Sequence, residues 1–429
     1  MSPTHNPDFE SRLDRYAEIL VRHGVDLRAG QEVFLHAEVA HRELALRVAE
    51  AAYDAGAGHV DLRFVDPRAI AQMIRRSQLE RLETQHTEET AWLNRALVSR
   101  AALISLRGEE EPRLLPALAE SHPERHAVYS RAASLKGKTF SNHGINRSLC
   151  PWVVAAGATP GWAARVFPDL EGDTALDRLW RCIFRFTAAD RDDSVDYLAA
   201  KDRRLHGRRA RLDALGIREL HVRGPGTDLR VGLSEKARWL GGSKVTADGR
   251  SFNANVPSEE NFTTPDRRRT RGSLAATMPF RTKSGVLVED LVMHFEAGRM
   301  THFEAGRGAD GFGRWVDTDE GARYLGEFAL VGNDSPIAES GLFFEHTLFD
   351  ENAWAHAALG QAYSSGLRGG EGLSQAELDA CGANQSAIHT DIMFGSPEVT
   401  ITATECSHGS ATVLIERGEW AEPFRDPSL

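Results

Sequence analysis

The stretch Gln31–Val65, QEVFLHAEVAHRELALRVAEAAYDAGAGHVDLRFV, decides the fold class. Gln31–His36 is short, apolar and strand-like, and His41–Ala55 sets Leu44, Ala45, Val48, Ala49 and Ala52 on one helical face. His59–Val65 is apolar again, so the three pieces form a β-α-β unit. Working outward, Arg12–His23 places Leu13, Tyr16, Ala17, Leu20 and Val21 at helical spacing and closes on Gly24. Arg68–Glu83 then reads as a helix and Ala101–Leu106 (AALISL) as a strand. The expectation is an α/β protein that opens with a sheet-and-helix domain over residues 1–186. No GxGxxG follows any of these strands, so a dinucleotide site has no support.

From Thr187 to about Leu215 the chain is strongly charged yet helical in spacing, which suits a linking helix with a solvated face. Beyond Gly216 the texture becomes strand-like, in RELHVRGPGTDLRVGL, ARYLGEFALV and EVTITAT, with one helix expected near Ala353–Tyr363. Residues 187–429 therefore read as a second, β-rich α+β domain. LVMHFEAGRMTHFEAG repeats HFEAG at His294–Gly298 and His302–Gly306. The reading is a β-hairpin turning near Ala297–Arg299, with Phe295 and Phe303 inward and the His and Glu side chains in water, not a metal cluster.

The chain has 429 residues, 41% hydrophobic and 26% charged, enough to bury a full core. Lys+Arg 51 against Asp+Glu 62 gives −11, a balance that argues against a nucleic-acid partner. The first twenty residues hold no secretory apolar core, and no run approaches the ~18 apolar residues of a membrane span. Cys150, Cys182, Cys381 and Cys406 form no CxxC pair, which suits the cytoplasm and leaves His, carboxylate and Tyr as the available metal ligands.

Four segments carry such ligands. In LFDENAWAHAALGQAY, Asp350 and Asn352 are candidate caps, and His356 and Tyr363 would share one face of a helix two turns apart. In NQSAIHTDIMFGS, His389 and Asp391 stand at i and i+2 of an extended run and point to one side. NVPSEENFTTPD supplies the adjacent carboxylates Glu259 and Glu260, and YLGEFALV sets Glu327 in an apolar run, where it needs a partner. Taken singly these are a structural histidine, a core-edge aromatic, a salt-bridge partner and a charged loop. Together they provide enough ligands for two metal ions.

In order and spacing, VPSEENFTTPD, LGEFALVGNDSPI, LFDENAWAHAALGQAY and NQSAIHTDIMFGS resemble the aminopeptidase T / aminopeptidase S family of bacterial metallo-aminopeptidases. GTDLRVGL (Gly226–Leu233) and TPGWAARVFPD (Thr159–Asp169) extend the resemblance over nearly the whole chain. It implies a metal-binding catalytic domain at residues 187–429 and a co-catalytic pair of divalent ions, zinc or cobalt, with manganese or magnesium as substitutes. The implied ligands are Glu259, Glu327, His356, Tyr363, His389 and Asp391, with Glu260 as general base; the two adjacent glutamates could exchange roles. It also implies a cytoplasmic homodimer acting on short peptides. Glu345-His346-Thr347 departs from the family pattern, and His346 is read as a group behind the ligands, a substrate contact or a surface residue.

Two rival readings stand beside this one. His356, His389 and Asp391 alone would make the 2-His-1-carboxylate triad of a mononuclear iron ring-cleaving dioxygenase. That site has no use for Glu259, Glu260, Glu327 and Tyr363. The other is a non-catalytic homologue that keeps the fold and binds peptide or metal; a lost ligand or base would favour it, and none is lost here.

Overall fold

The computed structural model describes residues 7–84, 87–136, 140, 144, 147–282 and 285–426. The chain divides into two compact units, residues 1–199 with 243–257 and residues 200–242 with 258–429. The expected single crossing near residue 186 omits this return. It arises because Asn255–Val256 hydrogen-bonds as the last strand of the first unit's sheet.

In the first unit, strands Glu32–Glu38, His59–Val65, Ala102–Arg107, Trp152–Ala156 and Asn255–Val256 form one sheet, and every adjacent pair in it is parallel. The helix Arg42–Asp54 buries Leu44, Ala45, Val48 and Ala52, as its spacing requires. Ala102–Arg107 is buried along nearly its whole length, the mark of an inner parallel strand covered on both faces. The helix expected over Arg68–Glu83 is broken into Pro67–Arg76 and Leu79–Thr84. Asp66 caps the first piece through the Arg68 amide, and the Arg125 guanidinium takes the carbonyls of Ile74 and Ser77, so the chain leaves the helix there.

The charged linker forms the helix Ser194–Leu215. In the second unit an eight-stranded sheet is built around the hairpin Ile217–Gly224 and Thr227–Leu233. It also holds the predicted hairpin, Val292–Glu296 with Arg299–Glu304. Ala297 and Gly298 both have positive φ in its turn, and a Cβ on Gly298 would collide with the Arg267 carbonyl. Phe295 is buried and Phe303 packs on the core, while His294 and His302 are exposed.

A four-stranded antiparallel sheet, in the order Asn261–Thr263, Leu325–Leu330, His356–Gly360 and His389–Met393, carries the chemistry. One face of it contributes Phe328, Leu330, Ala357, Leu359 and Ile392 to an apolar core shared with Leu220, Val222, Leu229 and Val231 of the large sheet. Here the helix expected over Ala353–Tyr363 is absent. His356–Gly360 is a strand, with the Thr347–Asp350 turn of helix before it. Alanine and leucine favour helices by local propensity, but pairing on both edges and complete burial outweigh those tenths of a kcal/mol per residue.

Candidate metal centre

The pleat of the small sheet brings the ligand candidates to its other face. Glu327 and Asp391 both pair with Ala358, while His389 pairs with Gly360, two residues along the same strand from Ala358. His356, Ala358 and Gly360 therefore share a face with Glu327, His389 and Asp391. The two positions between the ligands are small. Gly360 has φ +105 and approaches the Ile388 carbonyl so closely that a Cβ would clash, which brings the His389 segment against the strand.

The polar atoms converge in two overlapping groups. Glu260, Glu327 and His356 form one, and Glu327, His389 and Asp391 the other. His356 Nε2 lies 3.3 Å from Glu260 Oε2, and His389 Nε2 lies 3.3 Å from Glu327 Oε2 and 3.4 Å from Asp391 Oδ1. A direct imidazolium–carboxylate hydrogen bond closes to about 2.7–2.9 Å. Two donor atoms placed tetrahedrally about one zinc-sized cation at about 2.0–2.1 Å stand about 3.3–3.4 Å apart. The observed spacing leaves room for a cation between the members of each group.

The imidazoles are also oriented for ligation. Nδ1 of His389 lies 2.8 Å from the Gln361 carbonyl and Nδ1 of His356 lies 3.2 Å from that of Trp354. Each Nδ1–H then donates to the carbonyl and leaves Nε2 facing the carboxylates, the arrangement that fixes a metal-binding tautomer.

The site concentrates negative charge out of water. Burial pushes the Glu327 carboxyl up, against the pull of His389, and the neighbouring charges of Glu260 and Asp391 push it further. Burial disfavours a charged His356, yet Glu260, Asp391 and Glu327 bring its imidazole up to about 10. Burial likewise opposes charge on His389, which Tyr363, Asp391 and Glu327 hold well above the ordinary imidazole range. The Tyr363 ring lies 5.0 Å from that of His389. His389 draws the phenol down, but burial with Glu327, Asp391 and Glu351 leaves it raised. Such a set calls for bound positive charge, and the donors fit divalent cations.

The two adjacent glutamates face different partners. Glu259 turns away from both groups to a buried ion pair with Lys201, and burial keeps its carboxyl raised despite that lysine. Glu260, expected as the base, is the glutamate that faces His356. His346 starts the Thr347–Asp350 helix, half-buried beside the Phe349 ring. Asp350 and Asn352, expected as helix caps, make other bonds: the Asp350 carboxylate accepts from the Phe344 and His346 amides, and Asn352 Oδ1 accepts from the distant Glu259 amide.

Sequence reasoning missed Glu351. Burial raises its carboxyl well above the usual range, and the charges of Asp391 and Glu260 raise it further, so it belongs to the same field. The available signal was its place between Asp350 and Asn352, five positions before His356.

A sheet face bearing paired histidine–carboxylate groups defines a metal-dependent class of enzyme, and comparison with known proteins agrees. Residues 9–420 match the family described as thermophilic metalloprotease (M29). The chain is 37% identical over 419 residues to aminopeptidase T of Thermus thermophilus, covering 96% of this chain and 99% of that one. It is 33% identical over 413 residues to aminopeptidase AmpS of Bacillus subtilis, again covering 96% and 99%. The solved structure of wild-type AmpT from Thermus thermophilus superposes with a TM-score of 0.88 at 36% identity, covering 96% of this chain and all of that one. The chain belongs to the thermophilic metalloprotease (M29) family.

Proposed function

We propose that this metallopeptidase removes N-terminal residues from peptides at a dinuclear centre on the four-stranded sheet. The enzyme is a metallo-aminopeptidase of the hydrolase class, as its family and its full-length relatives have it. The observation that carries the dinuclear reading is that Glu327 belongs to both candidate groups, so its carboxylate would be shared between two cations. Glu260 and His356 would hold one, and His389 and Asp391 the other. Tyr363, beside His389, would join as a further ligand whose phenolate the cations stabilise.

Divalent ions held there, zinc or cobalt in this reading, would lower the pKa of a water toward neutrality and polarise the scissile carbonyl. The chain's own residues do the rest. With Glu260 read as a ligand, another carboxylate of the same field would take the water proton and pass it to the leaving amine, the role expected of Glu260; Glu351 is the carboxylate left for it. Glu260 is reassigned as ligand and Glu259 is removed from the ligand set, because their side chains leave the backbone in opposite directions, toward His356 and toward Lys201.

The mononuclear iron alternative needs His356, His389 and Asp391 in one group, whereas His356 falls in one candidate group and the other two in the next, which supports the dinuclear reading. We read the enzyme further as a cytoplasmic homodimer acting on short peptides. The four free cysteines accord with a reducing compartment, and none of the described helices is long and apolar enough to cross a membrane.

Elemental analysis of the purified chain, paired with turnover of leucyl and arginyl chromogenic amides after adding zinc, cobalt or manganese, tests this reading. Two metal equivalents with amide cleavage are expected. One iron per chain without cleavage would overturn it.

A further inference from the structure

Glu259 and Glu260 are chemically identical neighbours, so something outside their own sequence must decide which one meets His356. We propose that the helix Ser194–Leu215 is a register clamp for the metal face, and that Glu259 is a positioning residue held by Lys201. This rests on Glu260 being a ligand.

The contacts alternate along the chain. Glu259 pairs with Lys201, and Asn261 Nδ2 donates to the Leu205 carbonyl at 3.0 Å and the Leu240 carbonyl at 3.3 Å. Lys201 and Leu205 are four residues apart, one helical turn, so one stripe of the helix holds two alternate residues of the extended segment. The alternating residues Glu260 and Phe262 turn the other way. Glu260 meets His356, and the Phe262 ring lies 6.0 Å from that of Tyr363. A slip of one residue would send Glu259 to the metal face and Glu260 to the helix.

A third tie closes the device. The Glu259 amide donates to Asn352 Oδ1 at 2.7 Å, and Asn352 Nδ2 donates to the Leu348 carbonyl at 2.9 Å. Glu260 is thereby fixed against the segment that leads through Glu351 to His356. Lys201, Glu259 and Asn261 are 5%, 8% and 0% exposed. Stability alone does not call for such a pair, since replacing a buried ion pair with apolar residues is often neutral or stabilising. Its worth is positional.

The apolar pair K201M/E259L, made in the full chain, separates position from stability. Unfolding is followed by circular dichroism, zinc affinity by chelator competition, and kcat and KM with a leucyl amide. The expected result is an unfolding midpoint at or above wild type, zinc affinity 10–100-fold weaker, and a kcat reduced at saturating substrate. The conservative K201R should recover affinity to within about threefold of wild type. An apolar pair with wild-type affinity and kcat would show that Lys201 and Glu259 only fill space, and would overturn the proposal.

If K201M/E259L does not fold, the reversed pair K201E/E259K decides. It should bind zinc at least tenfold more tightly than K201E alone, and no recovery would overturn the clamp. E260Q with the clamp intact tests the underlying reading separately. Full zinc affinity in E260Q would refute Glu260 as ligand, whatever the clamp variants do.

Discussion

Glu327 shares its row of the small sheet with Asp391, the two separated by the methyl group of Ala358. The gap is a requirement of the site, because a larger side chain there would stand between the two carboxylates. Ala358→Leu is therefore expected to abolish metal binding and reduce amide turnover more than 100-fold, with overpacking costing about 1–3 kcal/mol of stability. Inductively coupled plasma analysis alongside a urea melt checks both parts; normal metal content would contradict the placement.

Shared and unshared ligands differ in stoichiometry. Glu327→Gln should lose both metal equivalents, since its carboxylate belongs to both groups. His356→Ala and Asp391→Ala should each lose one equivalent under stringent dialysis and at least 1000-fold in turnover, with far-ultraviolet dichroism unchanged. A Glu327→Gln enzyme that retains two equivalents would argue against the shared carboxylate.

Metal uptake should release protons. Below pH about 10 the empty site holds His356 charged, and His389 is likewise held well above its ordinary value. Both imidazoles must lose a proton to ligate through Nε2, so apparent affinity rises with pH, by up to about 2 log units per pH unit. Calorimetry in buffers of different ionisation enthalpy counts those protons. Uptake without proton release would mean that the histidines are neutral in the empty site.

His41 gives the first unit a pH dependence of its own. Burial lowers its imidazole to about 4, against the hydrogen bond to the Gly157 carbonyl. The unfolded chain takes a proton below about 6.5 while the folded one resists until about 4. Stability is therefore undiminished above that range and falls as pH drops through it, by about 2 kcal/mol at pH 5. The loss between pH 7.5 and 5 should be smaller by about that amount in His41→Leu, read as the difference between denaturant melts. An equal loss in the variant would assign the effect to other groups.

The repeated HFEAG motif should be silent. His294→Ala combined with His302→Ala changes residues on the exposed hairpin, apart from both ligand groups. Turnover within twofold of wild type and unchanged metal content are expected, and loss of either would bring the hairpin into the site.

The sequence by itself determined what period and chemistry can encode. The β-α-β unit, the hairpin at Ala297–Gly298 and the same-side pair His389 and Asp391 follow from local spacing, because a strand repeats every two residues and an amphipathic helix every 3.6. Glu327 was marked by the cost of an ionisable group in an apolar strand. The family resemblance rested on the same motifs. Tertiary structure decided the rest. Ala357, Ala358 and Leu359 are equally at home in a helix, and only two flanking strands make His356–Gly360 a strand. Glu259 and Glu260 are indistinguishable as residues, and partners distant in sequence, Lys201 for the one and His356 for the other, separate their directions. Glu351 entered the site through the charges around it, which are set by distances across the fold that no local pattern contains.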